Sequence, residues 1–274
     1  MGKLKPILNF TGSVAGLSVY TMRGSDQPII RRKGGPTRKQ IKTKDSFATT
    51  RKNNMEFGGR AKITAQVMDV LRPLKYLGDY NIAGPLNSLF IPIQELDTKH
   101  EKGHRDVQLT KDPRVLEGFN LNRRTPFESI VLNPPEYTLS KKTLKGAITF
   151  PELTPDRNFI VPGNFQWYRF IVVLGIVEDM FCDPGSRWDD YHAKHGNPLW
   201  LAISRETDWL EVYPGSPSTT FNIEMKISRK DYLKQLSLNC HSLMLGVGIS
   251  FGTMQKGKIT MAKYIGGAKV LGMA

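Results

Sequence analysis

Residues Thr220–Ser228 read TFNIEMKIS. Phe221, Ile223, Met225 and Ile227 fall on one side, and Asn222, Glu224 and Lys226 on the other. A period of two with one apolar face predicts a half-buried antiparallel strand. Outward from this stretch, the C-terminal half is built of similar short runs rich in β-branched and aromatic residues, bounded by Gly, Pro, Asn or Asp. They are Phe127–Leu132, Leu144–Leu153, Asn158–Val161, Phe165–Val177, Leu199–Ile203, Trp209–Tyr213, Ser242–Gly252, Lys258–Lys263 and Ala268–Met273. Phe165–Val177 is apolar on both faces near its end, as a central strand is. So many short strands in succession predict an antiparallel β-sandwich over residues 126–274. No Cys-Trp-Cys spacing marks an immunoglobulin domain proper.

The N-terminal part reads differently. Leu17–Arg23 alternates with period two, Pro28–Lys33 is a second extended run, and Gly24-Ser25-Asp26-Gln27 between them has turn chemistry. This predicts a β-hairpin with a basic edge shared by Arg23 and Arg31-Arg32-Lys33. Gly34-Gly35-Pro36 breaks the strand. Thr37-Arg38-Lys39-Gln40 fits a capping box, with Thr43 and Asp45 as alternative helix starts. From Phe47 an apolar face is expected through Thr50, Asn54, Phe57, Ala61, Ala65, Met68 and Leu71, ended by Pro73. Gly58-Gly59 weakens the middle of that helix, and close packing of helix on hairpin is the expected reason for the pair. Pro85 suits the first position of a helix over Leu86–Ile91, limited by Pro92. The expected fold class is therefore α+β or mainly β: a basic hairpin-plus-helix module over residues 1–125, followed by the sandwich.

Charge separates the two parts. Residues 1–62 hold 14 Lys+Arg against 3 Asp+Glu, +11 of the whole chain's +14. An excess concentrated in a segment that also reads as folded predicts a polyanionic partner, with DNA or RNA first among them. The phosphate-contact candidates are Arg23, Arg31, Arg32, Lys33, Arg38, Lys39, Lys42, Arg51 and Lys52, with Tyr20 as a possible base-stacking ring. No zinc finger, ribonucleoprotein motif or helix-turn-helix is present, so sequence-specific readout is not expected.

Several function classes lack their signatures. There is no nucleophile elbow, phosphate-binding loop, zincin motif or dinucleotide fingerprint, so no enzyme, no catalytic residue and no cofactor is predicted. His100 and His104 lie four apart in DTKHEKGHRD (Asp97–Asp106), which reads as a charged, exposed loop. The segment Phe181–Pro198 gathers Cys182, Asp183, Asp189, Asp190, His192 and His195, ligand types without a recognised ligand spacing. It is expected to be a contact loop, and no metal site is assigned. Trp167, Trp188, Trp200 and Trp209 are candidates for a sugar-stacking face, but the strand positions of Trp167, Trp200 and Trp209 favour the core. Cys182 and Cys240 make no disulfide framework, which favours a reducing compartment and a cytoplasmic protein. No signal peptide and no membrane span is read from the sequence.

Gly12–Gly16, Arg31–Thr37, Phe47–Gly58, Leu71-x-Pro73-Leu74 and Gly118-Phe119-Asn120-Leu121-Asn122-Arg123 together resemble uncharacterised proteins of Bacteroidota bacteria. More loosely, the opening hairpin and Arg-rich helix look like short phage-type proteins. The likeness covers mainly residues 10–130 and implies no activity. The functional expectation is a non-enzymatic binding or assembly protein whose basic module docks on nucleic acid without sequence specificity. The alternatives are a structural subunit of a multi-subunit or phage-like particle, as a homo-oligomer or larger assembly, and a carbohydrate-binding sandwich.

Overall fold

The computed structural model describes residues 2–3, 10–22, 27–183, 191–194, 196–227, 230–236 and 239–274. The chain divides into two units, Met1–Arg51 and Lys52–Ala274. The boundary expected near residue 125 falls inside the second.

The first unit holds a four-stranded antiparallel sheet of β1 (Gly2–Lys3), β2 (Gly12–Val14), β3 (Leu17–Tyr20) and β4 (Ile29–Arg32), in the order β1-β4-β3-β2. The expected pairing of the Leu17 and Pro28 runs is present as β3–β4, with Ser18 opposite Arg31 and Leu17 opposite Arg32. Of its expected turn residues, 24–26 lie outside the described residues. Helix α1 (Arg38–Thr43) begins at the expected capping box. The Gln40 backbone N–H donates to Thr37 Oγ1 (3.2 Å), and the Thr37 N–H donates to Gln40 Oε1 (2.7 Å). Lys44 is extended and breaks the helix, and a single 3-10 turn at Asp45–Phe47 leads into α2 (Ala48–Val70).

In the second unit α2 turns a different face inward from the one expected. Phe57 is 56% exposed, and Asn54 and Ala65 are exposed too. The buried residues are Glu56, Gly59, Ile63, Thr64, Gln66, Val67 and Val70. Apolar periodicity could not find them, because four of the seven are polar or lack a side chain. Gly59 faces the ring of Tyr191, whose Cε1 would lie 2.5 Å from an added Cβ, whereas Gly58 has nothing within 4 Å.

A 3-10 segment, Arg72–Leu77, and helix α3 (Ala83–Glu95) follow. Helix α3 starts before Pro85 and runs through Pro92. A proline there removes one backbone bond, and the buried Leu86, Phe90 and Ile93 hold both sides of it in the core. Phe127–Ile130 is the short helix α4, where a strand was expected. Phe127 and Ile130 are both buried, and its apolar content reflects that burial and not strand pairing.

The strands come next: β5 (Glu136–Ser140), β6 (Lys145–Phe150), β7 (Trp167–Glu178), β8 (Phe181–Cys182), β9 (Tyr191–His192), β10 (Ala202–Glu206), β11 (Leu210–Glu211) and β12 (Thr219–Glu224). Helix α5 (Lys230–Leu236) precedes β13 (His241–Gln255) and β14 (Lys258–Met273). Antiparallel pairing builds a sheet in the order β10-β7-β13-β14, with β11 also on β7, and a second in the order β12-β6-β5. The two C-terminal runs expected as separate strands are one long strand, kinked at Tyr264 and Gly266, which take positive φ (62° and 114°). Asn158–Val161 contributes isolated bridges and no strand.

The structure is thus α+β with antiparallel sheets. One face of the larger sheet carries Ile171, Val173, Met244 and Val270 into a core shared with Ile63, Leu74 and Phe90. The opposite face carries Phe170, Val172, Leu174 and Leu245 into a core shared with Ile148, Phe150 and Ile223 of the smaller sheet. The alternation read in Thr220–Ser228 is therefore real: Ile223 and Met225 are buried, and Asn222, Glu224 and Lys226 are exposed.

The adjacent glycines of α2 give a sharp test. Gly58→Ala should raise stability by about 0.5–1 kcal/mol, because alanine is the better helix former and the space is open. Gly59→Ala should lower stability by about 1–3 kcal/mol through overpacking against Tyr191. Urea denaturation of the two variants checks the opposite signs.

Candidate functional site

Strand geometry splits the basic residues of the first unit. Neighbours along a strand point to opposite faces, so Arg31 shares a face with Ser18 and Tyr20, and Arg32 shares the other with Leu17 and Val19. The Arg31 guanidinium lies 5.4 Å from the centroid of the Tyr20 ring, a cation–π contact. Tyr20 therefore packs on its neighbour. The Lys33 backbone N–H donates to the Gly16 carbonyl (2.6 Å) and extends the β3–β4 pairing.

On α1, Arg38 and Lys42 are four residues apart and share one helix face; Lys39 is offset from them, and its carbonyl accepts from the Thr43 hydroxyl (2.9 Å). Arg31, Arg32, Lys33, Arg38, Lys39 and Lys42 are all exposed. Among the described residues none of the six makes an ion pair. Arg51 is placed otherwise. Its Nη1 donates to the carbonyls of Ile41 (2.9 Å) and Lys44 (2.8 Å), tying off the C-terminus of α1. Lys52 belongs to the second unit and lies 3.8 Å from Glu101 in an exposed ion pair. Arg23 is outside the described residues.

A second cluster was not legible as a site in the sequence. Asp97–Asp106, expected as an exposed loop, buries both of its terminal carboxylates. Asp97 Oδ1 accepts the Lys99 N–H (3.0 Å), and Oδ2 accepts the Asp106 N–H (2.8 Å) and faces His100 Nδ1 (2.7 Å). Asp106 Oδ1 accepts the Cys182 N–H (2.9 Å). Burial alone would raise the Asp97 pKa. The His100 ring and the two backbone donors outweigh it and lower it to about 2. The same contact raises His100, and burial raises Asp106. Asp97, His100 and Asp106 each bring one ligand atom within 4.8 Å of the others. The oxygens are already engaged in folding the loop, so the chemistry of the trio is that of a loop organiser. His104 does not join it, and instead its Nδ1 lies 3.8 Å from Cys182 Sγ.

Next to this loop Glu56 is buried and accepts from Arg105 Nε (2.7 Å), Arg105 Nη2 (3.0 Å) and the Gly103 N–H (3.0 Å). Desolvation opposes its charge, but these donors and the nearby Arg60 hold its pKa below the usual carboxylate value. Arg60 itself bonds Asn87 and Gln94, and Gln94 donates to the Arg105 carbonyl (2.9 Å). Of the segment Phe181–Pro198, β8 and β9 pair antiparallel, and the Tyr191 hydroxyl donates to the Arg105 carbonyl (2.9 Å). Its residues Trp188, Asp189, Asp190 and His195 lie outside the described residues.

A third feature is a cleft of about 780 Å³ at the end of β7 and β11. Trp167 pairs directly with Glu211, so both side chains leave the same face of the sheet. Tyr213 is exposed, and its hydroxyl donates to Asp156 Oδ2 (2.8 Å). Of the tryptophans expected in the core, Trp167 and Trp209 are half-buried and Trp200 is 49% exposed. The Trp209 ring is covered by the Arg169 guanidinium at 4.8 Å.

The chain matches no known family model, no curated protein and no solved structure. No described helix is long and apolar enough to cross a membrane.

Two outcomes follow from the buried cluster. Glu56→Ala should destabilise the fold by about 1–3 kcal/mol, since it leaves the half-buried Arg105 and the Gly103 N–H without their carboxylate; thermal unfolding reads this directly. Asp97 has a folded pKa below its unfolded value, so its contribution is present above about pH 4 and is lost as the pH falls towards 2. Asp97→Asn should flatten the acid limb of stability against pH in that window by about 1–2 kcal/mol.

Proposed function

We propose that the chain is a non-enzymatic binding or assembly protein whose first unit docks on a polyanion, with nucleic acid held without sequence specificity as the best-supported partner. One observation carries the reading. The unit Met1–Arg51 has 11 Lys+Arg against 2 Asp+Glu, +9 of the total of +14. Six of those cations stand exposed on one small sheet and one short helix, without an ion pair among the described residues. Phosphate contacts of this kind position a nucleic-acid backbone without reading bases. The split of Arg31 and Arg32 between the two faces of the sheet suits a partner that wraps or bridges, and Arg51 serves by fixing α1. In this reading the two stacked sheets of the second unit act as a β-sandwich body, and the protein works in the cytoplasm.

A structural subunit of a larger particle is the second reading. It is favoured by apolar side chains exposed in the same basic unit, with Val14 at 57% and Met22 at 54%. The two readings part on salt. Counterion release makes nucleic-acid affinity fall steeply with ionic strength, whereas apolar association does not weaken.

Fluorescence anisotropy with a labelled 30-nucleotide single-stranded DNA, its duplex and the matching RNA is the test. Binding at 50 mM salt should fall by at least tenfold at 200 mM. The Arg31→Ala/Arg32→Ala/Lys33→Ala variant should weaken binding to all three polymers alike and lower the slope of log affinity against log salt by about 2–3. No binding to any of them at 50 mM salt would sink the nucleic-acid reading. Salt-resistant self-association by sedimentation would then support the subunit reading.

A further inference from the structure

The cleft beside Trp167 is built on the second unit, not on the unit that carries most of the excess positive charge, and its chemistry is unlike that of the basic module. We propose that it is a binding site for a neutral carbohydrate chain. Phe165, Trp167 and Tyr213 line it; the Phe165 ring packs toward the buried Phe251 (centroids 5.8 Å), which leaves the half-buried Trp167 and the exposed Tyr213 as the open aromatic walls. They present flat apolar faces of the kind on which the C–H face of a pyranose ring packs. Asp156, Asn164, Gln166 and Glu211 also line it. The carboxylates accept hydrogen bonds, and the amides both accept and donate, which matches hydroxyl groups that do the same.

The lining excludes other ligand classes by its charge. It contains no Lys, Arg or His among the described residues, in a chain with 39 Lys+Arg. A phosphorylated or carboxylated ligand would meet two carboxylates and no cation. A simple cation would use the aromatic faces and the carboxylates, but would leave the amide N–H groups of Asn164 and Gln166 unused. A polyhydroxylated neutral ligand uses the whole set. A volume of about 780 Å³ is within the range of about 300–1,000 Å³ that holds small organic ligands, room for more than one sugar residue.

Local structure holds the site in place. Trp167 and Glu211 are cross-strand partners, the Val212 N–H donates to the Gln166 carbonyl (2.9 Å), and Leu210 pairs with the buried Tyr168. The Tyr213–Asp156 hydrogen bond ties the far wall to the loop before β7. The site is thus carried by a sheet edge and does not depend on a ligand to form.

Isothermal titration with the unmodified full chain tests the proposal. The probes are hexasaccharides of glucose in α-1,4 and β-1,4 linkage, of mannose, xylose, galactose and N-acetylglucosamine, each to 5 mM, with choline and polyphosphate as cationic and anionic controls. At least one hexasaccharide should bind. Trp167→Ala and Gln166→Ala should each weaken that binding at least tenfold while nucleic-acid binding by the first unit stays unchanged. Gln166 is exposed, so its variant remains informative if Trp167→Ala fails to fold. The proposal is overturned if none of the hexasaccharides binds, if binding is unaltered in Gln166→Ala, or if choline or polyphosphate binds in their place. Because the first unit is left intact, failure here leaves the nucleic-acid reading standing, and failure there leaves this one.

Discussion

Between Phe170 and Val177 strand β7 has no face left for water. Phe170, Val172 and Leu174 point into the core shared with the smaller sheet, and Ile171, Val173 and Val177 into the core shared with the helices. Burying each such side chain contributes roughly 1.5–3 kcal/mol, and a strand covered on both sides collects that on every residue. The helices come close because the helix-facing surface of the sheet carries glycines. Gly175 lies against Val70 and Gly248 against Leu74 and Leu77, while Gly246 lies against Val173 of β7 and, less closely, Leu71. A methyl group at Gly175 or Gly248 would push the helical layer outward.

The same layer buries polar groups, and each needs a partner. The Gln66 amide accepts the Glu178 N–H (2.9 Å) and donates to the Glu178 carbonyl (3.1 Å), taking the place of a neighbouring strand at the end of β7. Glu178 Oε2 accepts the Leu199 N–H (2.6 Å), and the Asp179 carboxylate accepts from the Thr110 backbone and hydroxyl. With Glu56–Arg105 and the Asp97–Asp106 loop, this polar seam fixes where α2, α3 and the β8–β9 hairpin meet the sheet. Its members sit in strong mutual fields for a structural reason, which is why perturbed ionisation there does not by itself point to catalysis.

Charge and shape divide the two candidate surfaces. The first unit concentrates exposed guanidinium and ammonium groups around very few buried side chains, Val19 foremost. The cleft of the second unit has aromatic walls, carboxylates and amides, and no cation in its lining among the described residues. The proposed polyanion and the proposed neutral polyol would therefore use different residues, those of the first unit and those of the cleft.

The amino-acid sequence determined what depends on neighbours along the chain. Alternation in Thr220–Ser228 placed Ile223 and Met225 inside, the Thr37–Gln40 spacing set a helix start, and counting charges put the positive excess before residue 62. Only the tertiary structure decided what depends on partners far away. The inward face of α2 is set by Tyr191, Arg105 and the Glu178 backbone, more than 40 residues from the residues they meet, so Glu56 and Gln66 are buried although their own helix reads as polar there. Phe127–Ile130 looks like a strand because burial, and not pairing, selects its apolar side chains. Trp167 and Glu211 become neighbours through register alone. Pairing register is a property of two segments together, and no pattern within either one records it.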